Sequence, residues 1–449
     1  MTNNLCIEIT GNPFIDSGIY ALKNRLNKDI SDITLEDLKS EAKFISKLYT
    51  KKSWQSNMHN IFPNSKLVNT SVKGNREEEY YKVLLELIDS IDLIQNEGSC
   101  MGCGKRIAKN TYFKNMIPLT GSGSLLNYFS YGKLGDDYCS LCVLLVQFSP
   151  LIMYRCGGKY FIVLQSNSEK VMNFWAEKGI DSINTQFATG DFTGCYTQGI
   201  IRPTNVIFNI IAQIITSGSN WRGENPSFNF YYFSNFNKGA ELEIFTLPTS
   251  VFNFLTEIHP KDWKNWSLII KRGYKNVNWD KVKSYDDFKN NPNKIYNNLL
   301  SGNSILKFFY SIKFKKTFCS WNLVKSYLME VWMMDEERIQ IIRNVGDKLS
   351  TYIMENKDVK SLQRLEIAPN YNTFRNLLKR ILKNKLLKDN ELLFTFDEYV
   401  FKLFPEGNLS WKETQDLLLF RIYENLNEWL VENNYAKILE NEPEEDENV

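Results

Sequence analysis

Two pairs of cysteines carry the chemistry most directly readable from this chain. "CMGCGKR" at residues 100–106 holds Cys100 and Cys103, and "CSLC" at 139–142 holds Cys139 and Cys142. The chain has only eight cysteines, so half of them stand in two matched pairs. A C-x2-C turn folds both sulfurs toward one point. Two such turns complete the tetrahedral four-thiolate shell that Zn2+ takes, at about 2.3 Å per sulfur. Gly104, straight after the second cysteine, permits the positive φ that such a knuckle wants. The second pair opens an apolar helical run, "CSLCVLLVQF", and a helix N-terminus favours thiolates. Knuckle, connector and a pair at a helix start together resemble a treble clef. Four cysteines close the shell, so the metal is expected to hold shape and do no chemistry. The 35 residues between Cys103 and Cys139 exceed the usual ribbon spacing. Two alternatives stay open: a redox-active C-x-x-C, for which no clear βαβ context exists, and four unlinked buried thiols. Cys6, Cys156, Cys195 and Cys319 are scattered and read as core residues.

Other chemistries lack their residues. Only two histidines exist, His59 and His259, too few for a histidine-rich metal nuclease centre. "GCGKRI", "YGKLG" and "GGKYF" all lack the Ser or Thr of a phosphate-binding loop, and no G-x-S-x-G occurs. A catalytic role is therefore not expected. The net charge of the 449-residue chain is +2, so any nucleic-acid contact must come from local patches. Aromatic residues reach 14%, which suits core packing first and base stacking second. "MTNNLCIEITGN" has neither a charged n-region nor a long apolar stretch. The run "CVLLVQFSPLIM" at 142–153 is too short for a bilayer. The expectation is a cytoplasmic protein with no membrane partner, where paired thiols hold metal more often than they form disulfides.

The elements around the cysteines follow from local pattern. "LCIEITG" at 5–11 alternates like a half-buried strand and stops at Gly11-Asn12-Pro13. "FIDSGIYALKNRL" predicts a helix with Asp16 or Ser17 as N-cap. A second helix covers 34–50, with a Thr34/Asp37 capping box, and a third covers 77–95. The connector between the cysteine pairs predicts turns and short strands. Hairpins are predicted at 151–166 around Gly157-Gly158 and at 228–248 around Asn237-Lys238-Gly239.

Beyond residue 316 helical spacing takes over, as in Val324, Tyr327, Leu328 and Val331. Pro369 separates this stretch from a basic helix. Ser410 and Glu413 predict a capping box for the last helix. The fold class expected is α+β: a mixed α/β N-terminal region with a four-cysteine zinc module, then an all-helical C-terminal bundle. The segments are 1–97, a zinc module at 98–150, a strand-rich continuation at 151–315, the bundle at 316–438 and an acidic, disordered tail at 439–449.

Three stretches together resemble a known family. They are "IEITGNPFIDSGIYAL", the paired C-x-x-C, and "YYFSNFNKGAELEIFTLPTSVFNFL", within roughly residues 5–270. The chain resembles the CXXC–CXXC family of CRISPR-associated proteins, the large subunit of the type I-B Cascade complex. The resemblance implies a non-enzymatic subunit that contacts the CRISPR guide RNA. It implies recognition of the protospacer-adjacent motif in target double-stranded DNA, and initiation of R-loop formation in antiviral defence. Implied partners are the backbone protein, other Cascade subunits, and a helicase-nuclease recruited in trans. The alternative is a free-standing zinc-stabilised RNA-binding or regulatory protein. Candidate nucleic-acid contacts are basic or amide residues near turns: Asn12, Lys105, Arg106, Arg202, Asn205, Lys271 and Arg272. A further set is Arg375, Lys379, Arg380 and Lys383, in a run of six bases and no acid over residues 375–388. The resemblance also implies a small helical subunit made by internal translation, for which Met329, Met333 and Met334 are candidate starts.

Overall fold

The computed structural model describes residues 5–93, 98–122, 126–127, 132–218, 221 and 224–435. The acidic tail at 439–449 lies outside the described residues. The chain forms two compact units. The first comprises residues 1–217 and 226–247, the second 218–225 and 248–449.

The first unit opens with helices α1 (Pro13–Leu26), α2 (Leu35–Tyr49), α3 (Lys52–Ile61) and α4 (Arg76–Asp89). Short strands follow: β1 (Asn110–Tyr112), β2 (Leu126–Asn127), β3 (Lys133–Leu134) and β4 (Asp136–Tyr138). β1 pairs with β4 and β2 with β3, both antiparallel, so two short ribbons lie between the cysteine pairs. Then come α5 (Ser140–Val146), β5 (Tyr154–Arg155), β6 (Phe161–Gln165), α6 (Glu169–Thr189) and α7 (Pro203–Thr216). The unit ends with β7 (Phe228–Ser234) and β8 (Glu241–Leu247). β5, β6, β7 and β8 form one antiparallel sheet in that order. Phe161 faces Phe233 across β6 and β7, and Phe228 faces Leu247 across β7 and β8. Both expected hairpins are present. Gly157 and Gly158 turn the first at φ of 75° and 52°, a region open to glycine at little cost.

α1 packs against β6, α5 and α6. Phe14 meets Phe233 edge-on, with ring centroids 5.1 Å apart. Its start differs from expectation. The cap is Asn12, whose Oδ1 accepts from the N–H groups of Phe14 and Ile15, and Pro13 fills the first helical position. Asp16 instead reaches back. Its carboxylate accepts from the Thr10 N–H and hydroxyl and from the Gly11 N–H, which fixes the turn before the helix. Residues 5–11 form no strand: Cys6 sits at φ 41°, outside the extended region. The Thr34/Asp37 capping box of α2 is present as expected. α4 stops at Asp89, short of the expected 95, and residues 94–97 lie outside the described residues.

The second unit holds α8 (Thr249–Gly273), α9 (Lys294–Leu300), β9 (Tyr310–Ser311) and β10 (Lys316–Thr317). It continues with α10 (Trp321–Glu330), α11 (Glu336–Asn356), α12 (Val359–Ile367), α13 (Tyr371–Asp389) and α14 (Trp411–Glu432). The helical C-terminal character is as expected. The compact units nevertheless divide at Leu247–Pro248, ahead of the pattern change near residue 316, because α8 packs against α9 and α10. α11 and α14 run in close contact, and Gly346 makes that possible: a Cβ there would lie 2.8 Å from Arg421 Cβ. Ser410 precedes α14, but its hydroxyl has no hydrogen-bond partner among the described residues. Glu413 accepts from Arg338 Nη2 at 2.8 Å, so the ion pair displaces the expected capping box. Among the described residues no helix is long and apolar enough to cross a membrane.

Candidate metal centre

The four paired cysteines converge. Their sulfurs all lie within 4.8 Å of one another, and Cys103 Sγ is 3.9 Å from Cys139 Sγ. A tetrahedron of sulfurs about 2.3 Å from a central ion has edges of about 3.8 Å, close to the Cys103–Cys139 separation, so the cluster could hold a metal ion. Cys100, Cys139 and Cys142 are buried and Cys103 is half-buried. Four thiolates suit a soft or borderline cation and leave it no open coordination position.

Local backbone geometry places each sulfur. The first pair sits on a tight knuckle. The Gly104 N–H donates to the Cys100 carbonyl at 2.8 Å, and the Cys100 N–H to the Arg106 carbonyl at 3.1 Å. Gly104 is at φ 65°, as the sequence predicts. Gly102 lets the knuckle close against the second pair: a Cβ there would lie 3.2 Å from Cys142 Sγ and 2.6 Å from Ile15 Cδ1. The Met101 N–H donates to the Asp137 carbonyl, which ties the knuckle to β4. The second pair sits at the start of α5, with Cys139 at the N-cap position. The Cys139 N–H donates to Cys100 Sγ at 3.1 Å.

The electrostatics call for a cation. Cys103 is held well below the thiol range by Cys100 first, then Cys139 and Cys142, and by the Lys105 N–H. Cys103 pushes Cys100 up, but Cys139 and Cys142 pull it down further, to about 6. Cys139 is pushed well up, chiefly by Cys100 and Cys103. Cys142 is pushed well up by Cys100, Cys103 and Cys139. The sulfurs thus shift one another in opposite directions through shared hydrogen bonds, and a central dication would favour the thiolate form of all four.

The centre is anchored by a buried amide, Gln147, which local sequence pattern does not single out. Gln147 closes α5, and its Nε2 donates to the carbonyls of Met116 and Val143. Its Oε1 accepts from the Tyr80 hydroxyl and its carbonyl from the Tyr49 hydroxyl, each at 2.9 Å. Through its side chain and its main-chain carbonyl, this one residue joins the cysteine helix to α2, α4 and the segment after β1. The signal in sequence is an amide inside the otherwise mostly apolar run "CVLLVQFSPLIM".

The nucleic-acid candidates do not form one surface. Asn12 is committed to capping α1 and also meets the Tyr138 hydroxyl. Lys105 is exposed and pairs with Glu8. Arg106, expected to face a phosphate, is 3% exposed. Its guanidinium donates to the carbonyls of Asp92, Leu5 and Cys6, so it staples the N-terminal segment to the knuckle. Arg202 is exposed at the cap of α7, whereas Asn205 is buried one turn later. Lys271 is buried. Arg272 donates to the carbonyls of Phe308 and Tyr310 and stacks on Phe318, and burial lowers it to about 10. Asn205, Lys271 and Arg272 therefore serve packing.

On α13 Lys379 and Lys383 are exposed, one turn apart, with no ion pair among the described residues. Arg380 is exposed and donates to Ser361 Oγ. Arg375 lies over the Tyr371 ring, and its Nε is buried without a partner among the described residues. Lys385 is buried and pairs with Asp389 and Glu391.

No curated protein and no solved structure matches the chain. Residues 94–154, the stretch that carries all four cysteines, both ribbons and α5, match the model of a family described as CRISPR-associated protein (Cas_CXXC_CXXC).

Proposed function

We propose that the chain is a non-catalytic large subunit of a type I-B CRISPR RNA-guided surveillance complex, with Zn2+ as its structural metal. The observation that carries this reading is that the four cysteines meet at one point within the stretch that is similar to a CRISPR-associated family. Zinc is the metal that takes four thiolates in a closed tetrahedral shell. In this reading the guide RNA supplies sequence recognition by base pairing, and the protein supplies backbone contacts and a small reading surface for the protospacer-adjacent motif in duplex DNA. Its partners are guide RNA, target DNA, the backbone protein and other Cascade subunits, with a helicase-nuclease recruited in trans, all in the cytoplasm. Lys379 and Lys383 are its best placed backbone contacts, as two exposed cations on one side of a helix with no ion pair among the described residues.

Co-expression of the tagged chain with the neighbouring genes of its locus tests this. The expected result is a stoichiometric complex that contains guide RNA. A chain that purifies alone, free of guide RNA, from cells that assemble the complex overturns the reading and leaves the free-standing RNA-binding alternative.

A further inference from the structure

A cleft of about 660 Å3 opens between α4, the turn at residues 64–69 and β1. That size falls within the roughly 300–1,000 Å3 of small-molecule sites. Its floor is apolar, made by Tyr80, Leu87 and Met116, all buried. Its rim is unusually rich in amides: Asn64, Asn69, Asn110 and Asn115. Asn64 pairs with Asn237, and Asn69 accepts from the Ser71 N–H. The side chains of Asn110 and Asn115 make no hydrogen bond to the described residues. Ser65 also lines the cleft, is 2% exposed, and its hydroxyl has no partner among the described residues. A buried hydroxyl left bare is costly, so one that borders a cavity points to something the cavity accepts. Tyr112 also lines the cleft, and its hydroxyl lies 3.5 Å from Ser140 Oγ.

We propose that this cleft binds one unstacked adenine base of a single-stranded nucleic acid. The side-chain amides of Asn110 and Asn115 each offer a donor and an acceptor side by side, which is the complement of an adenine edge. A tyrosine ring offers a stacking face. One lysine, Lys66, and one glutamate, Glu86, leave the cleft near neutral. That balance suits an uncharged heterocycle better than a free polyphosphate, while exposed Lys66 at the rim can meet a single phosphate. Asn110 and Tyr112 belong to β1, which pairs with β4, and β4 runs directly into Cys139. The metal centre thereby fixes one wall of the cleft. The proposal rests on the surveillance-complex reading only for the source of the base, guide RNA or a DNA strand. Its chemistry rests on the cleft.

Titration of the full-length metal-loaded protein with AMP, dAMP, GMP, CMP, UMP and inorganic phosphate, read by ligand-observed NMR, tests it. Saturable binding of AMP or dAMP, stronger than that of the pyrimidine nucleotides and absent for phosphate, is expected. A preference for AMP assigns the site to RNA, and parity or a preference for dAMP assigns it to DNA. Asn110→Leu with Asn115→Leu should weaken binding by about tenfold, the loss of two or more modest hydrogen bonds. Ser65→Ala removes a hydroxyl that makes no hydrogen bond among the described residues, so it should weaken binding about threefold with an unchanged or raised melting temperature. That variant keeps the test decisive if the double variant folds poorly. Binding of phosphate or GMP as strong as that of AMP, no saturable nucleotide binding, or variants that bind as wild type overturns the proposal. If the chain joins the complex yet binds no nucleotide, only the cleft assignment fails. If it binds AMP but joins no complex, the cleft stands and the surveillance-complex reading falls.

Discussion

At the scale of single residues, the cysteine cluster has little slack at Gly102. A methyl group there would press on Ile15 and Cys142 at once. Gly102→Ala is expected to lower metal affinity by about 10–100-fold, as disturbance of the groups that support a metal site does, measured by competition with a coloured chelator. Unchanged affinity would mean that the knuckle is not pressed onto the second pair. Cys103→Ser removes a ligand from the most exposed corner. It should lower the melting temperature of the first unit by about 5–10 °C, a loss of about 2–4 kcal/mol. Asp16 makes a pH-dependent prediction. Burial lifts its carboxyl above the usual 3.8 despite hydrogen bonds from Thr10 and Gly11. The folded chain then holds that proton more tightly than the unfolded one, so stability falls as the pH rises from 3.8 through the raised value. Asp16→Asn should flatten that part of the stability curve in urea titrations, and parallel curves for the two proteins would refute it. The residue roles split by the range of their causes. Metal ligands are local in sequence, two to a turn, and are legible there. Arg106 reads as a phosphate contact in sequence because nothing near it announces the carbonyl of Leu5, which lies 101 residues away. Asn12 reads as a contact because an amide before Pro13 suits a helix cap as well as a base edge.

At the scale of elements, α1 and α5 meet at a glycine. A Cβ on Gly18 would fall 1.8 Å from the Leu145 carbonyl oxygen, and backbone cannot yield as a side chain can. Gly18→Ala should therefore cost about 1–3 kcal/mol and also loosen the metal, since α5 carries Cys142. Full stability with full metal affinity would show that the two helices can separate without consequence. α13 makes the second prediction at this scale. Lys379→Gln with Lys383→Gln should reduce the salt dependence of DNA binding by the assembled complex, by about 0.7–0.9 in the log–log slope for each phosphate no longer neutralised. Motif choice should not change, because phosphate contacts position and do not specify. An unchanged slope would make α13 a solvated face only. Helices and hairpins are legible where periodicity and turn chemistry agree, as in α2 with its capping box and the β7–β8 hairpin. Two expectations fail where a longer-range partner wins. Residues 5–11 alternate like a strand, but the Asp16 carboxylate gathers the turn at Thr10 and Gly11. Glu413 stands at capping-box spacing from Ser410, but Arg338, 75 residues earlier, takes its carboxylate.

At the scale of the molecule, the chain is two compact units with different tasks in the proposed reading. The first holds the metal centre and the adenine cleft. The second carries the exposed lysines of α13. Division at Leu247–Pro248 is not legible in the sequence, because α8 has the same helical pattern whichever unit it packs with. The segment that joins α10 to α11 has its own consequence. Met333, 74% exposed at φ 50°, lies in it. Translation begun there would yield α11 to α14 whole, whereas a start at Met329 would begin inside α10. In native expression a shorter product that shares the C-terminus is expected, absent when the three methionine codons are recoded, and failure to find it would leave the helical bundle to act only in cis. The central claim, that four cysteines form a closed metal site that holds shape and does no chemistry, rests most directly on one measurement. Elemental analysis of freshly purified native protein, joined to thiol titration with and without denaturant, counts both metal and ligands. One zinc per chain, with the four paired thiols reactive only after denaturation or metal removal, is the expected result. Metal-free folded protein, with those cysteines freely titratable or cycling to disulfides, would contradict it.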